Sequence, residues 1–173
     1  MKPGAHWGGW FLRLAEMLDR AARLVCMAAL VLLTLVVLTV VVLRYGFAAG
    51  SIALQDLASY AFAVFLALSV PVCLARGGHV RVEVFSEMLS PAYLRRADLA
   101  ALVLFLAPVF GLVVWAYWPD IAYSWSIREG SVETGGLGGL FLVKTALPVS
   151  ALLMIVQGVA ALMRHAPEKG SGP

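Results

Sequence analysis

This chain has little charge, and its cysteines and histidines are fewer still. Only 13% of its 173 residues are Asp, Glu, Lys or Arg, 62% are hydrophobic, and the mean hydropathy is +0.91. A soluble domain carries nearer a quarter charged residues. The two cysteines, Cys26 and Cys73, fall inside apolar blocks with no C-x-x-C and no Cys/His cluster, so neither a redox pair nor a metal site is expected. Their expected role is that of a small buried hydrophobe. His6, His79 and His165 all lie outside the apolar runs. A haem anchor built from four helices needs histidines facing each other within the helices, so that class is excluded. A quinone-linked thiol oxidase needs exposed cysteine pairs. A small multidrug exporter needs a membrane carboxylate, and the first apolar run has none. Ionisable residues within a bilayer mark proton relays, ion sites and substrate sites. The centres of these runs hold no Asp, Glu, Arg or His. Secondary carriers are usually built from repeats with broken helices at the midplane, and no such repeat is visible. No catalysis, no cofactor, no metal and no nucleic-acid partner is therefore expected, and any transport path should belong to a partner.

What is present is four long apolar runs. Leu24 to Leu43 is uncharged over about 20 residues, the length a helix needs to cross the hydrocarbon core. Its leucines and valines each favour insertion by about 0.3 to 0.6 kcal/mol near the centre, enough together to outweigh one charge costing about 3. Leu57 to Ala75, Leu99 to Trp118 and Leu140 to Met163 are the other three. The expected fold is thus an all-α integral membrane domain of four transmembrane helices over residues 24–163. Lys144 is the one charge inside a run, near its end, where a lysine extends its ammonium to the headgroups. Pro71, Pro108 and Pro148 interrupt three spans; each frees a carbonyl that a neighbouring helix or water can satisfy. Ser90-Pro91 reads as an N-cap and first helical position, so the third helix should begin near Pro91 and run on through the membrane.

The cations are distributed unevenly. Lys2, Arg13, Arg20, Arg23, Arg76, Arg81, Arg95, Arg96, Arg164 and Lys169 fall on one side of a four-span topology, and Arg44, Arg128 and Lys144 on the other. Ten against three places both termini in the cytoplasm. The first and third loops then face outward. The third, Pro119 to Val143, holds Trp125, Arg128, Glu129 and Glu133 and the run Gly135-Gly136-Leu137-Gly138-Gly139. This flexible cluster is either a docking surface or a connector.

Ahead of the first span, Trp7, Trp10, Phe11, Leu14, Met17, Leu18 and Ala21 recur at helical spacing, with Arg13, Glu16, Asp19, Arg20 and Arg23 opposite. Residues 1–23 are therefore expected to form an amphipathic helix lying on the cytoplasmic leaflet. The first apolar run is longer than the core of a signal peptide and is expected to be retained. Residues 164–173 are expected to be a disordered cytoplasmic tail.

One block is specific. Arg44-Tyr45, Ser51 to Asp56, the second span, then Gly77-Gly78-His79-Val80-Arg81-Val82-Glu83-Val84-Phe85 and Leu89-Ser90-Pro91 follow in order. Ser124-Trp125, Glu129-Gly130-Ser131, Gly135-Gly136-Leu137, Lys144, Leu147-Pro148 and Gln157-Gly158 continue it. This pattern resembles the DctQ-type small membrane subunit of tripartite ATP-independent periplasmic (TRAP) transporters. It is most similar to the mannitol/chloroaromatic-type branch; where the commoner branch has a Trp and paired Glu before the second span, Leu54, Gln55 and Asp56 stand here. The resemblance implies a non-catalytic scaffold in the bacterial inner membrane. Its implied partners are a large multi-span TRAP membrane subunit, a periplasmic solute-binding protein and membrane lipid. The implied transport is ion-gradient-driven uptake of a solute such as an organic acid. On this reading no residue is catalytic or binds substrate, and Arg44, Asp56, His79, Arg81, Glu83, Trp125, Glu129 and Lys144 are the candidate structural or interface positions. Small residues such as Ala61, Ala63, Ala67, Ser69, Gly111 and Ala116 would allow close helix contact, with a partner or within the bundle. The alternating Val80 to Phe85 block is expected to be an ordered structural loop, with Arg81 and Glu83 ordering it or pairing with the large subunit and His79 forming hydrogen bonds within it. Two rivals stay open: a stand-alone small carrier, which would move solute unaided, and a membrane anchor of another complex.

Overall fold

The computed structural model describes residues 4–76 and 91–164. Among them every regular element is helical: α1 (Gly4–Gly46), α2 (Ile52–Ala75), α3 (Pro91–Ala101), a π-helical turn (Leu102–Leu106), α4 (Ala107–Ser126) and α5 (Leu140–Arg164). α3, the π turn and α4 are continuous and form the third span. Four helical stretches are long and apolar enough to cross a membrane: Gly9–Gly46, Ile52–Ala75, Arg96–Ser126 and Leu140–Arg164.

The four runs are where the hydropathy placed them, but their ends are longer. α2 starts five residues before Leu57, because Ser51 caps it: extended at φ −133°, it accepts from Leu54 N at 3.4 Å. α4 continues past Pro119 to Ser126, so Trp125 stands on a helix, and the third loop shrinks from the expected Pro119–Val143 to residues 127–139. The third helix does begin at Pro91. The π turn lies just ahead of Pro108, with Ala107 N bonded back to Leu102 O. In a regular α-helix the proline ring would meet the carbonyl of Leu104. The wider turn makes room for it.

α1 has 43 residues, about 65 Å at 1.5 Å each, roughly twice the hydrocarbon thickness. It passes without a break through the expected junction at residues 23 and 24. Ala15, Ala22, Ala29 and Val36 recur every seven residues and are buried, with Cys26 between them. Such a heptad stripe of small residues is a coiled-coil seam that lets backbones approach. Ala22 and Cys26 pack with Leu68 of α2 and Leu153 of α5, flanked by Leu18, Val64, Phe65 and Val72. Ala61 is buried as well, whereas Gly111 faces open space. Cys73, expected to be buried, is exposed.

The N-terminal part of α1 also turns differently from the expected two-faced pattern. Trp10, Leu14 and Met17 point away from the bundle, while Asp19 and Arg23, assigned to the solvated face, turn inward and pair at 2.6 Å. The inner face at this level is set by Ala15, whose carbonyl accepts from Gln157 Nε2 of α5 at 2.8 Å. Gln157 is 1% exposed, and its Oε1 has no hydrogen-bond partner among the described residues.

α2 and α5 are joined by a proline and a serine. Pro71 removes the amide that would bond Ala67 O, and Ser150 Oγ of α5 donates to that carbonyl at 2.5 Å. The freed acceptor is thus satisfied from the neighbouring helix. At the far end of the same pair, Arg164 Nη1 donates to Ala75 O at 3.3 Å.

Candidate functional site: a polar cap at one end of the bundle

The loop 127–139 and the helix ends around it form a polar cap. Its first half is a helix terminus. Glu129 N bonds Ser124 O at 3.0 Å and Arg128 N bonds Trp125 O at 3.3 Å, the paired bonds of a Schellman motif. Arg128 occupies the left-handed position at φ 49°, where glycine is usual. That turn brings the Glu129 carboxylate back over α4, where Ser124 Oγ donates to Oε2 at 2.5 Å. Lys144 of α5 reaches the same Oε2 at 2.7 Å and Asp120 Oδ2 at 3.2 Å. Lys144 is therefore an ion-paired strut between α4 and α5, and its ammonium ends on protein carboxylates where headgroups were expected. The Lys144 hydrogen bond first, and the Ser124 hydroxyl second, hold the Glu129 carboxyl below the ordinary carboxylate range.

Trp125 reinforces the same junction. Its Nε1 donates to Thr145 Oγ1 at 3.0 Å, and its ring meets Phe141 edge to face at 4.9 Å between centroids.

The second half of the loop is tied to α2. Leu137 N donates to Asp56 Oδ2 at 2.9 Å, and Leu137 O accepts from Tyr60 Oη at 3.0 Å and Ser131 N at 3.0 Å. The glycine run, expected to be flexible, is folded onto these anchors. Gly135 and Gly139 take φ of 84° and 96°, open only to glycine without strain. Gly136 is needed for space: a Cβ there would lie 2.5 Å from Asp56 Oδ2 and 2.5 Å from Ser131 Oγ.

Of the eight sequence candidates, the structure gathers Asp56, Trp125, Glu129 and Lys144 into this cap. Arg44 is at the same end, lining a cleft of about 610 Å³ with Val40, Ser51 and Gln55. His79, Arg81 and Glu83, and with them the expected ordered loop, lie outside the described residues, as does the tail from residue 165. Sequence reasoning missed Tyr60, Asp120, Thr145 and Ser150, and met Ser124, Ser131 and Gln157 only as members of the family pattern, without a role. Ser150 and Gln157 carried a usable signal, since a polar side chain inside an apolar span generally faces another helix. The others are common polar residues near helix ends, and nothing local to them names their partners.

No group of three or more His, Cys, Asp or Glu that could hold a metal occurs among the described residues. The carboxylates of Asp56, Asp120 and Glu129 are spent on a backbone amide, a hydroxyl and a lysine. The arrangement closes one end of the bundle and presents a shaped surface.

A family model described as "Tripartite ATP-independent periplasmic transporters, DctQ component" matches residues 33–168, most of the chain. No curated protein matches it.

Proposed function

Because this chain belongs to the DctQ-component family of TRAP transporters, we propose that it is the small scaffold subunit that braces a larger membrane subunit. In this reading it supports binding-protein-dependent, ion-gradient-driven uptake of a solute, an organic acid being the expected class. It performs no chemistry and holds no solute. The observation that carries this is a contrast within one molecule. The central parts of the four spans have no Asp, Glu, Arg or His, while Asp56, Asp120, Glu129 and Lys144 meet in the cap and order a loop. A bare interior offers nothing to grip an ion or organic anion. A rigid end surface suits contact with a partner.

Both termini face the cytoplasm in this proposal. Ten cations lie on the side of the chain ends against three on the cap side. The cap is then periplasmic, where loop 127–139 can meet the binding protein. The N-terminal part of α1 is not a separate helix on the leaflet: it runs on from the spanning part without a break and packs on α5 through Ala15, so it extends the bundle toward the cytoplasm with Trp10, Leu14 and Met17 facing outward at the interface.

Copurification from native membranes followed by mass spectrometry tests the proposal. A large multi-span protein should accompany the chain, and Arg81→Ala or Glu83→Ala should reduce its recovery while leaving solute affinity of the binding protein unchanged. Gradient-driven uptake by liposomes holding this chain alone would overturn it.

A further inference from the structure

A groove of about 870 Å³ runs between α2 and the third span, floored by α5. Its volume is in the range of small-molecule pockets, about 300–1,000 Å³. Val70 and Leu74 form one wall, and Leu102, Phe105 and Val109 the other. Gly158 keeps the floor close to the π turn: a Cβ there would come within 3.0 Å of Leu102 Cδ1 and 3.3 Å of Leu106. No residue of the most apolar stretch of the third span is buried, so this wall is open along its length.

The chemistry changes at one mouth. Arg164 and Asp98 line it. Exposed Arg76 follows the lining residue Ala75, and exposed Arg96 precedes Asp98 by two positions. Arg164 is held there by its bond to Ala75 O, and a guanidinium has five N–H donors, enough to bond a further acceptor. The Arg164 guanidinium, beside the Asp98 carboxylate and with exposed Arg76 one residue beyond the lining, gives the end of an apolar trough a cationic anchor that complements an amphiphile with an anionic head. Basic pockets between transmembrane helices on the cytoplasmic side bind such headgroups.

We propose that this groove holds one anionic phospholipid, with an acyl chain between α2 and the third span and its phosphate at Arg164. A lipid suits the site better than a polypeptide helix because one molecule supplies both the apolar length and the charge at its end. The proposal rests on the chain crossing the bilayer and is independent of the transporter assignment, so failure of copurification leaves it intact.

The test uses the protein from native membranes in mild detergent, with any subunit it carries, delipidated and then titrated. Native mass spectrometry follows retention of phosphatidylglycerol and of phosphatidylcholine with the same acyl chains. Phosphatidylglycerol should be retained preferentially. Arg164→Gln should lower its retention about fivefold, the factor matching about 1 kcal/mol for one basic residue near an anionic headgroup, and leave phosphatidylcholine unchanged. Val70→Trp, which fills the groove without touching the charges, should lower both. Equal retention of the two lipids by all three proteins would overturn the assignment. So would crosslinking of Val70→Cys to a protein partner in membranes where a photoreactive phospholipid fails to label it.

Discussion

The bond from Ser150 to Ala67 O can be tested to a stated magnitude. Replacing Ser150 with Ala leaves that carbonyl without a donor, because Pro71 has already removed the amide of its own helix. Interhelical hydrogen bonds in membrane proteins contribute about 0.6 kcal/mol on average and up to about 1.7. A buried acceptor left wholly unpaired costs about 1–3 kcal/mol. Ser150 is buried and Ala67 O has no fallback within α2, so the cost should lie near the overlap, about 1.5 kcal/mol. Pro71→Ala restores the missing N–H and should make Ser150 largely redundant. Whatever Pro71→Ala costs alone in lost packing, the double variant should be more stable than the sum of the two singles predicts, by about 1 kcal/mol. Equilibrium unfolding in mixed detergent micelles, followed by circular dichroism, measures all four corners of the cycle. Additivity within about 0.3 kcal/mol would refute the argument that the serine replaces the amide the proline lacks.

Two predictions concern the cap. Gly136→Ala places a methyl group 2.5 Å from Asp56 Oδ2 and from Ser131 Cβ, so it should cost about 1–3 kcal/mol as overpacking. Gly138→Ala, in open space, should be near neutral; equal thermal shifts for the two would show that the loop is not closed on α2. Glu129 has a lowered carboxyl pKa, held down first by Lys144 and then by Ser124. Its contribution to stability is therefore fully present above the ordinary carboxylate pKa of about 4.3 and lost as the pH falls through the lower folded value. Hydrogen exchange of residues 127–139, corrected for its intrinsic rate, should be flat from about pH 8 to 5 and rise below about 4. In Glu129→Gln it should be raised throughout and lose the acid step; retention of that step would assign it to another group.

Most of the architecture was legible because its causes are local. An uncharged run of about 20 residues has one low-energy state in a bilayer, a helix that satisfies its own backbone. Errors gathered at the ends, where hydropathy fades. Pro119 looked like the start of a loop, yet α4 continues to Ser126. The apolar run starts only at Leu57, so hydropathy leaves out the start of α2 from Ile52 to Asp56, whose helical state depends on the cap that Ser51 makes with Leu54 N. The cap was half legible. Asp56, Trp125, Glu129 and Lys144 were named from the pattern they share with the family, but their partners lie as far away as Asp56 does from Leu137, 81 positions along the chain.

Sequence by itself determined that this chain crosses a bilayer on four helices, that the centres of its spans hold no Asp, Glu, Arg or His, and to which family it is similar. Each of these follows from composition summed over a stretch or from residues met in order. Tertiary structure alone decided that Lys144 pairs with Glu129 and Asp120, that Ser150 serves Pro71's orphaned carbonyl, and that Asp19 and Arg23 turn inward. It also decided that the glycine run is a fitted closure. The physical reason is common to all of them: a hydrogen bond or ion pair spans about 3 Å in space, and which groups come that close is set by how helices cross, a property no single stretch of chain contains.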